Sequence, residues 1–314
     1  MFHARQGRRR FLQTISLAAT APSWLSAAES KPPPIVDTHT HFYDPSRPQG
    51  VPWPGKNDPF LYRTVLPAEY RGFAAPLGVV GTVVVEASPW VEDNQWVLDL
   101  ADQDPFVLGL VGNLPPGTDD FRKHYNRFAK HPKFRGIRVN AGPLAEGLPK
   151  PEFLADIRRL QETDRELDIN GGPSLLPLVD QLATTLPDLR IVINHLANVR
   201  IDGATIPADY LRDLKAAAAH PQVFMKVSAL VEGASQGTRK APGDPEYYRP
   251  ILNAVWEVFG EDRVIYGSNW PVSARFADYK TVQTIVQAFV SDKSPAAQAK
   301  FFRGNALAAY RWEG

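Results

Sequence analysis

Ile35-Val36-Asp37-Thr38-His39-Thr40-His41-Phe42 begins with two β-branched residues and keeps a period of two, the pattern of a short strand. Alternate side chains of a strand share a face. The spacing therefore predicts that Asp37, His39 and His41 point the same way. Two neutral imidazoles converging from a rigid strand end make half of a metal site. The plain alternative places one histidine in the core and the other in a loop. That alternative suits a lone histidine better than a His-x-His pair closing the first strand of a long α/β chain.

Beyond this strand, strand and helix patterns alternate. Val79–Val85, Val107–Val111, Gly136–Val139, Asp168–Gly172, Arg190–Asn194, Val223–Val227 and Val264–Gly267 read as strands two to eight. Helical patterns fall between them at Glu69–Leu77, Asp93–Gln103, Phe121–Lys130, Glu152–Asp164, Leu175–Thr184, Pro207–Ala219 and Tyr248–Phe259. Two more, Thr281–Phe289 and Ala296–Tyr310, close the chain. The fifth strand is assigned mostly by position. Such alternation implies parallel βαβ units. Eight of them in one run predict a single α/β domain, a (β/α)8 TIM-type barrel. Tyr43–Leu66, rich in Pro, Gly and aromatic residues, reads as a long loop able to cover the barrel mouth.

The 314 residues suit one large barrel, and the net charge of +1 gives no electrostatic case for nucleic acid or an anionic membrane. Cysteine is absent, which excludes a thiol nucleophile, a thiolate metal site and a disulfide. No Gly-x-Ser-x-Gly elbow, phosphate-binding Gly-rich loop or dinucleotide fingerprint occurs. The expected partner is thus a small-molecule substrate; a homo-oligomer stays open. Arg8-Arg9-Arg10-Phe11-Leu12 resembles a twin-arginine export signal, followed by an apolar run, Ile15–Ala28, too short to span a membrane. Ser26-Ala27-Ala28 offers small residues for cleavage. The expectation is a signal segment over 1–30 and a barrel over 31–314. A bacterial, periplasmic or otherwise exported protein follows, with Lys31-Pro32-Pro33-Pro34 as a stiff lead into the first strand.

His195 ends the sixth strand, where barrel enzymes carry ligands and catalytic groups. With His39 and His41 it makes three imidazoles at one mouth. Three neutral nitrogens and an open position form a recognised catalytic zinc arrangement, so a divalent metal, zinc first, is the expected cofactor. Glu86 ends the second strand and must be solvated in the mouth or paired, as a ligand, a base or a rim salt bridge. Arg138 on the fourth strand suits clamping a carboxylate or polarising a carbonyl, or else an ion pair outside the barrel. Lys226 on the seventh strand, in register with Ser228, faces inward and needs a partner, with Glu86 or substrate as candidates and an interior ion pair as the alternative. Trp53, Trp90 and Trp270 follow strands and so lie near the mouth, where aromatic walls suit a sugar ring or aromatic acid.

Asp-Thr-His-Thr-His-Phe-Tyr-Asp-Pro, starting at Asp37, resembles the opening strand of the amidohydrolase superfamily. The resemblance is to its lactonase-like branch of L-fuconolactonase, L-rhamnonolactonase and pyrone-dicarboxylate lactonase. Phe134–Arg138, Ile193–Leu196 and Tyr266–Val272 match as well, and the likeness runs from about Pro34 to the C-terminus. It implies a metal-assisted hydrolase of a small lactone, with His39, His41 and His195 at family site positions. One position departs. The family commonly carries Asp after Gly-Ser on the eighth strand, and here Asn269 stands there. An amide has no useful basicity. Glu86, Glu232, Asp37 or an unligated His195 must then take the proton, Glu86 first because it ends a strand. The other readings are a metal-dependent decarboxylase of an aromatic or dicarboxylic acid, and a silent barrel that binds a sugar acid.

Overall fold

The computed structural model describes Met1 and residues 32–204, 206–235 and 240–312. The export-signal segment expected over residues 8–28 lies outside them.

Eight parallel strands run in the order of the chain: β1 (Ile35–Thr40), β2 (Val79–Val85), β3 (Val107–Gly112), β4 (Phe134–Asn140), β5 (Glu166–Asn170), β6 (Ile191–Ile193), β7 (Val223–Val227) and β8 (Val264–Tyr266). The ring closes behind β8, where Asn269 N–H donates to the His39 carbonyl at 2.8 Å and His41 N–H to the Trp270 carbonyl at 2.9 Å. The outer layer is built of α1 (Pro67–Ala74), α2 (Val91–Gln103), α3 (Phe121–Phe128), α4 (Ala141–Gly147), α5 (Pro151–Glu162), α6 (Leu176–Thr185), α7 (Ala208–Ala218), α8 (Leu230–Ala234), α9 (Arg249–Phe259), α10 (Tyr279–Val290), α11 (Pro295–Ala299) and α12 (Asn305–Tyr310). This is the (β/α)8 barrel expected. The short α4 and α8, directly after β4 and just after β7, carry too few turns for a periodic signal. A π-helical turn over Lys300–Gly304 splits the expected last helix in two.

Two apolar cores follow from the period of two. Residues such as Ile35, Val84, Leu167 and Ile169 pack outward against the helices. Val36, Val83, Val85, Val111, Val192, Phe224 and Ile265 fill the barrel with Ala306, Ala309, Tyr310 and Trp312, so the C-terminal segment packs into its interior.

The fifth strand begins two residues earlier than expected and ends at Asn170 rather than Gly172. Its pattern, Glu-Leu-Asp-Ile-Asn, was hidden because Glu166 and Asp168 point into the barrel and are fully buried. Lys226 meets them there, pairing with Asp168 Oδ2 at 2.7 Å, while Tyr310 Oη donates to Asp168 Oδ1 at 3.0 Å. Of the two readings for Lys226 the interior ion pair holds, and the expected partner Glu86 is corrected to Asp168. Burial raises the Glu166 carboxyl well above its usual range, with Asp168 adding to the shift.

Candidate active site

The strict alternation predicted for β1 fails at one point. A register irregularity lies between Asp37 and Thr40. Asp37 turns outward to the helix layer, accepting from Tyr70 Oη at 2.7 Å and Tyr279 Oη at 3.2 Å. His39 instead turns inward, its Nδ1 3.5 Å from Lys226 Nζ. Asp37 therefore does not share a face with the histidines and cannot take a substrate proton. Its Oδ1 accepts the backbone N–H groups of His39 at 3.0 Å and Ser268 at 2.8 Å. Burial raises its carboxyl, and these bonds pull against that rise. The Ser268 bond joins β1 to the segment after β8, and hydrogen bonds to a charged group are each worth about 1.5–3 kcal/mol.

Gly267 makes room for this arrangement. A Cβ there would stand 2.8 Å from His39 Cβ. Beyond it Asn269 has φ +62, a left-handed conformation that Asn tolerates better than most residues. His195, Leu196, Ala197 and Asn198 also have positive φ, as does Ala229. Non-glycine residues held there cost of order 1–3 kcal/mol each, and such strain gathers at functional sites. Here it lies at the carboxyl ends of β6, β7 and β8.

The three histidines converge. The ring centres of His39 and His41 are 5.0 Å apart, those of His39 and His195 4.3 Å. His41 Nδ1 meets the Val85 carbonyl at 2.9 Å, which fixes the proton on Nδ1, and His195 Nδ1 meets Ser228 Oγ at 2.7 Å. Burial is the main cause that depresses all three rings, His41 to about 4 and the other two well below their usual range. The Arg138 charge adds to this for His41 and His195. All three are neutral imidazoles at pH 7.

Among the described residues, no group of three or more His, Asp or Glu side chains is placed so that it could hold a metal ion as it stands. The donor chemistry nonetheless fits a divalent ion. His39 Nε2 is buried without a partner among the described residues, and His41 Nε2 offers a lone pair. Lys226 directs its short bond to Asp168 rather than to His39.

His41, His195, Arg138, Glu86, Asn269 and Trp53 line a cleft of about 250 Å³. Arg138 Nε and Nη2 both donate to Glu86 Oε1, at 2.9 and 2.6 Å, and Nη2 also reaches the Glu86 carbonyl at 3.0 Å. The ion pair foreseen for each residue is one pair, inside the cleft. Lys226 lies beneath it, fully buried. Trp53 stands 5.8 Å from the His41 ring, carried there by the 43–66 loop. That loop is tied down by a Tyr43–Val65 bridge, by Arg47 to Asp93 at 2.9 Å, and by Arg275 to Asp58. The other two tryptophans are corrected. Trp270 is buried against Tyr70 and Phe73, and Trp90 is exposed away from the cleft lining.

Glu232, only a fallback base in the sequence, accepts from Asn269 Nδ2 at 2.8 Å. Burial pushes its carboxyl up to about 7. Its place on the short α8 gave the sequence no pattern to mark it. Asp168 was likewise invisible beforehand.

The model of the Amidohydrolase family matches residues 36–312. An L-fucono-1,5-lactonase of Burkholderia ambifaria is 33% identical over 284 residues, 88% of this chain and 95% of that protein. A 2-pyrone-4,6-dicarboxylate hydrolase of Comamonas testosteroni is 24% identical over 92% of this chain and 96% of its own length. The solved structure of an amidohydrolase from Burkholderia multivorans with bound zinc superposes with a TM-score of 0.79 at 24% identity, covering 89% of this chain and all of that one.

Proposed function

The chain belongs to the amidohydrolase family, and from that premise we propose that it hydrolyses a small lactone of a sugar acid. The observation that carries the reading is the cleft in which Arg138, Glu86, His41 and His195 meet at the carboxyl ends of the strands. Its volume suits a single small ring, and Trp53 offers an apolar wall for one. The named relatives favour ring opening over decarboxylation or silent binding.

His39, His41 and His195 would hold a divalent ion, which supplies Lewis acidity at the carbonyl. Zinc is the proposed metal because the donors are imidazoles. Arg138 orients the ring through the carbonyl or a neighbouring oxygen. Glu86 takes a proton from the attacking water with Oε2, the oxygen that Arg138 leaves uncommitted. The acyl C–O bond breaks, the ring oxygen takes that proton back, and an open-chain hydroxy acid leaves. Asn269 accepts a hydrogen bond from the water without removing its proton.

The segment around Arg8–Leu12 is proposed to direct export of the folded protein. The test of the activity is a panel of sugar-acid lactones assayed by acid release with a pH indicator. Turnover of an aldonolactone supports the reading; carbon dioxide release from aromatic acids with no lactone turnover overturns it.

A further inference from the structure

Asn269 sits between two groups that compete for its amide. On one side, His41 Nε2 is 3.2 Å from Asn269 Oδ1. On the other, Glu232 Oε1 is 2.8 Å from Asn269 Nδ2. The Val85 carbonyl can only accept, so the proton of His41 stays on Nδ1 and Nε2 presents a lone pair. An Nε2 lone pair facing an amide oxygen makes no hydrogen bond. Left alone, the amide would turn over and donate Nδ2–H to His41. A carboxylate outbids a neutral imidazole for that N–H, because charge-assisted bonds are roughly twice as strong.

We propose that Glu232 is a positioning residue for the lactonase reaction, holding the Asn269 amide so that Oδ1 faces the cleft beside His41. This rests on the lactonase reading above. Asn269 Oδ1 then stands at the cleft beside His41 Nε2, the atom that would face the ion, and an amide oxygen cannot take a proton to completion. Oδ1 fixes an incoming water by one hydrogen, leaving the other for Glu86 and an oxygen lone pair for the carbonyl carbon. The departure from the family aspartate is thereby matched by a carboxylate one layer further back. Among the described residues Glu232 Oε2 has no hydrogen-bond partner although it is buried, so Asn269 is the side chain its carboxyl group holds.

The test uses the full-length enzyme and the variants Glu232→Gln, Asn269→Ala and their combination. Gln fits the same space but can present N–H as readily as C=O, so it no longer dictates the amide. The expected result is a fall in kcat of about tenfold to a hundredfold, the size of a lost hydrogen bond to a charged group, with KM changed far less. In the Asn269→Ala background the same change at 232 should have no further effect on kcat, because the residue acts through Asn269. Equal losses in both backgrounds would overturn the proposal, as would unaltered kcat in Glu232→Gln. Hydrogen exchange of the Asn269 side-chain amide provides the independent arm. It should be slow in the wild type and faster in Glu232→Gln whether or not lactones are turned over. Fast exchange in the wild type overturns the positioning role itself, whereas slow exchange with no lactone turnover overturns only the lactonase reading.

Discussion

Arg138 binds Glu86 through a single carboxylate oxygen: Nε and Nη2 both donate to Oε1. The pair is a cleft wall rather than a rim decoration, since both residues line the cavity with His41 and His195. The guanidinium holds the carboxylate in place, and the second oxygen is left for chemistry. Arg138→Lys keeps the charge but loses the planar fork. It should lower kcat/KM by about tenfold or more and raise KM for the lactone, read by steady-state kinetics.

Glu232 gives a prediction about stability with a definite sign. Its carboxyl is raised from 4.5 to about 7 by burial, so the folded state binds the proton more tightly than the unfolded chain. Stability from this group is therefore fully present below pH 4.5 and is lost as the pH rises toward 7. Glu232→Gln removes the titration. Relative to wild type the variant should gain about 2–3 kcal/mol between pH 4.5 and pH 8, seen as a rising difference in urea midpoint. A constant difference across that range would show that Glu232 does not titrate there.

Asn269→Asp restores the family carboxylate but sets it against Glu232, since the amide now lies 2.8 Å from that carboxylate. Two carboxylates at that separation share one proton. The variant should retain turnover, take up a proton on folding, and lose stability as the pH rises from 5 to 8. Combining it with Glu232→Gln should remove the pH penalty. Identical pH–stability curves for wild type and Asn269→Asp would contradict this.

Much of this was legible beforehand. Long apolar runs such as Val79–Val85 and the regular alternation with helices gave the barrel, and strand-end positions marked His39, His41, His195, Glu86 and Arg138. What escaped was of two physical kinds. The outward turn of Asp37 depends on a register irregularity, which leaves no trace in a two-residue period. The pairings of Lys226 with Asp168 and of Glu232 with Asn269 join residues 58 and 37 positions apart, which only closure of the barrel brings together. The charges inside β5 left that strand without an apolar pattern, because the partner of Asp168 lies on β7.

Metal removal bears on the imidazole cluster. Protein dialysed against a strong chelator should lose lactone hydrolysis and recover it on adding zinc or manganese. His41→Ala should lower the bound metal per chain, measured by elemental analysis of protein purified without chelator. Full activity at negligible metal content would contradict the proposed ion.

Export is tested at the N-terminus. Replacing Arg8, Arg9 and Arg10 together by Lys should trap a longer precursor in the cytoplasm of a bacterial host, as read by fractionation and mass. Mature periplasmic protein in undiminished amount would refute the signal.

The most direct measurement compares wild type with Glu86→Gln on the lactone that the wild type turns over best, with metal content and Tm recorded for both. The amide is nearly isosteric and not basic, and loss of a general base costs about two to four orders of magnitude. The account predicts a fall of that size in kcat at unchanged metal content. Undiminished hydrolysis by a folded, metal-replete Glu86→Gln would contradict it.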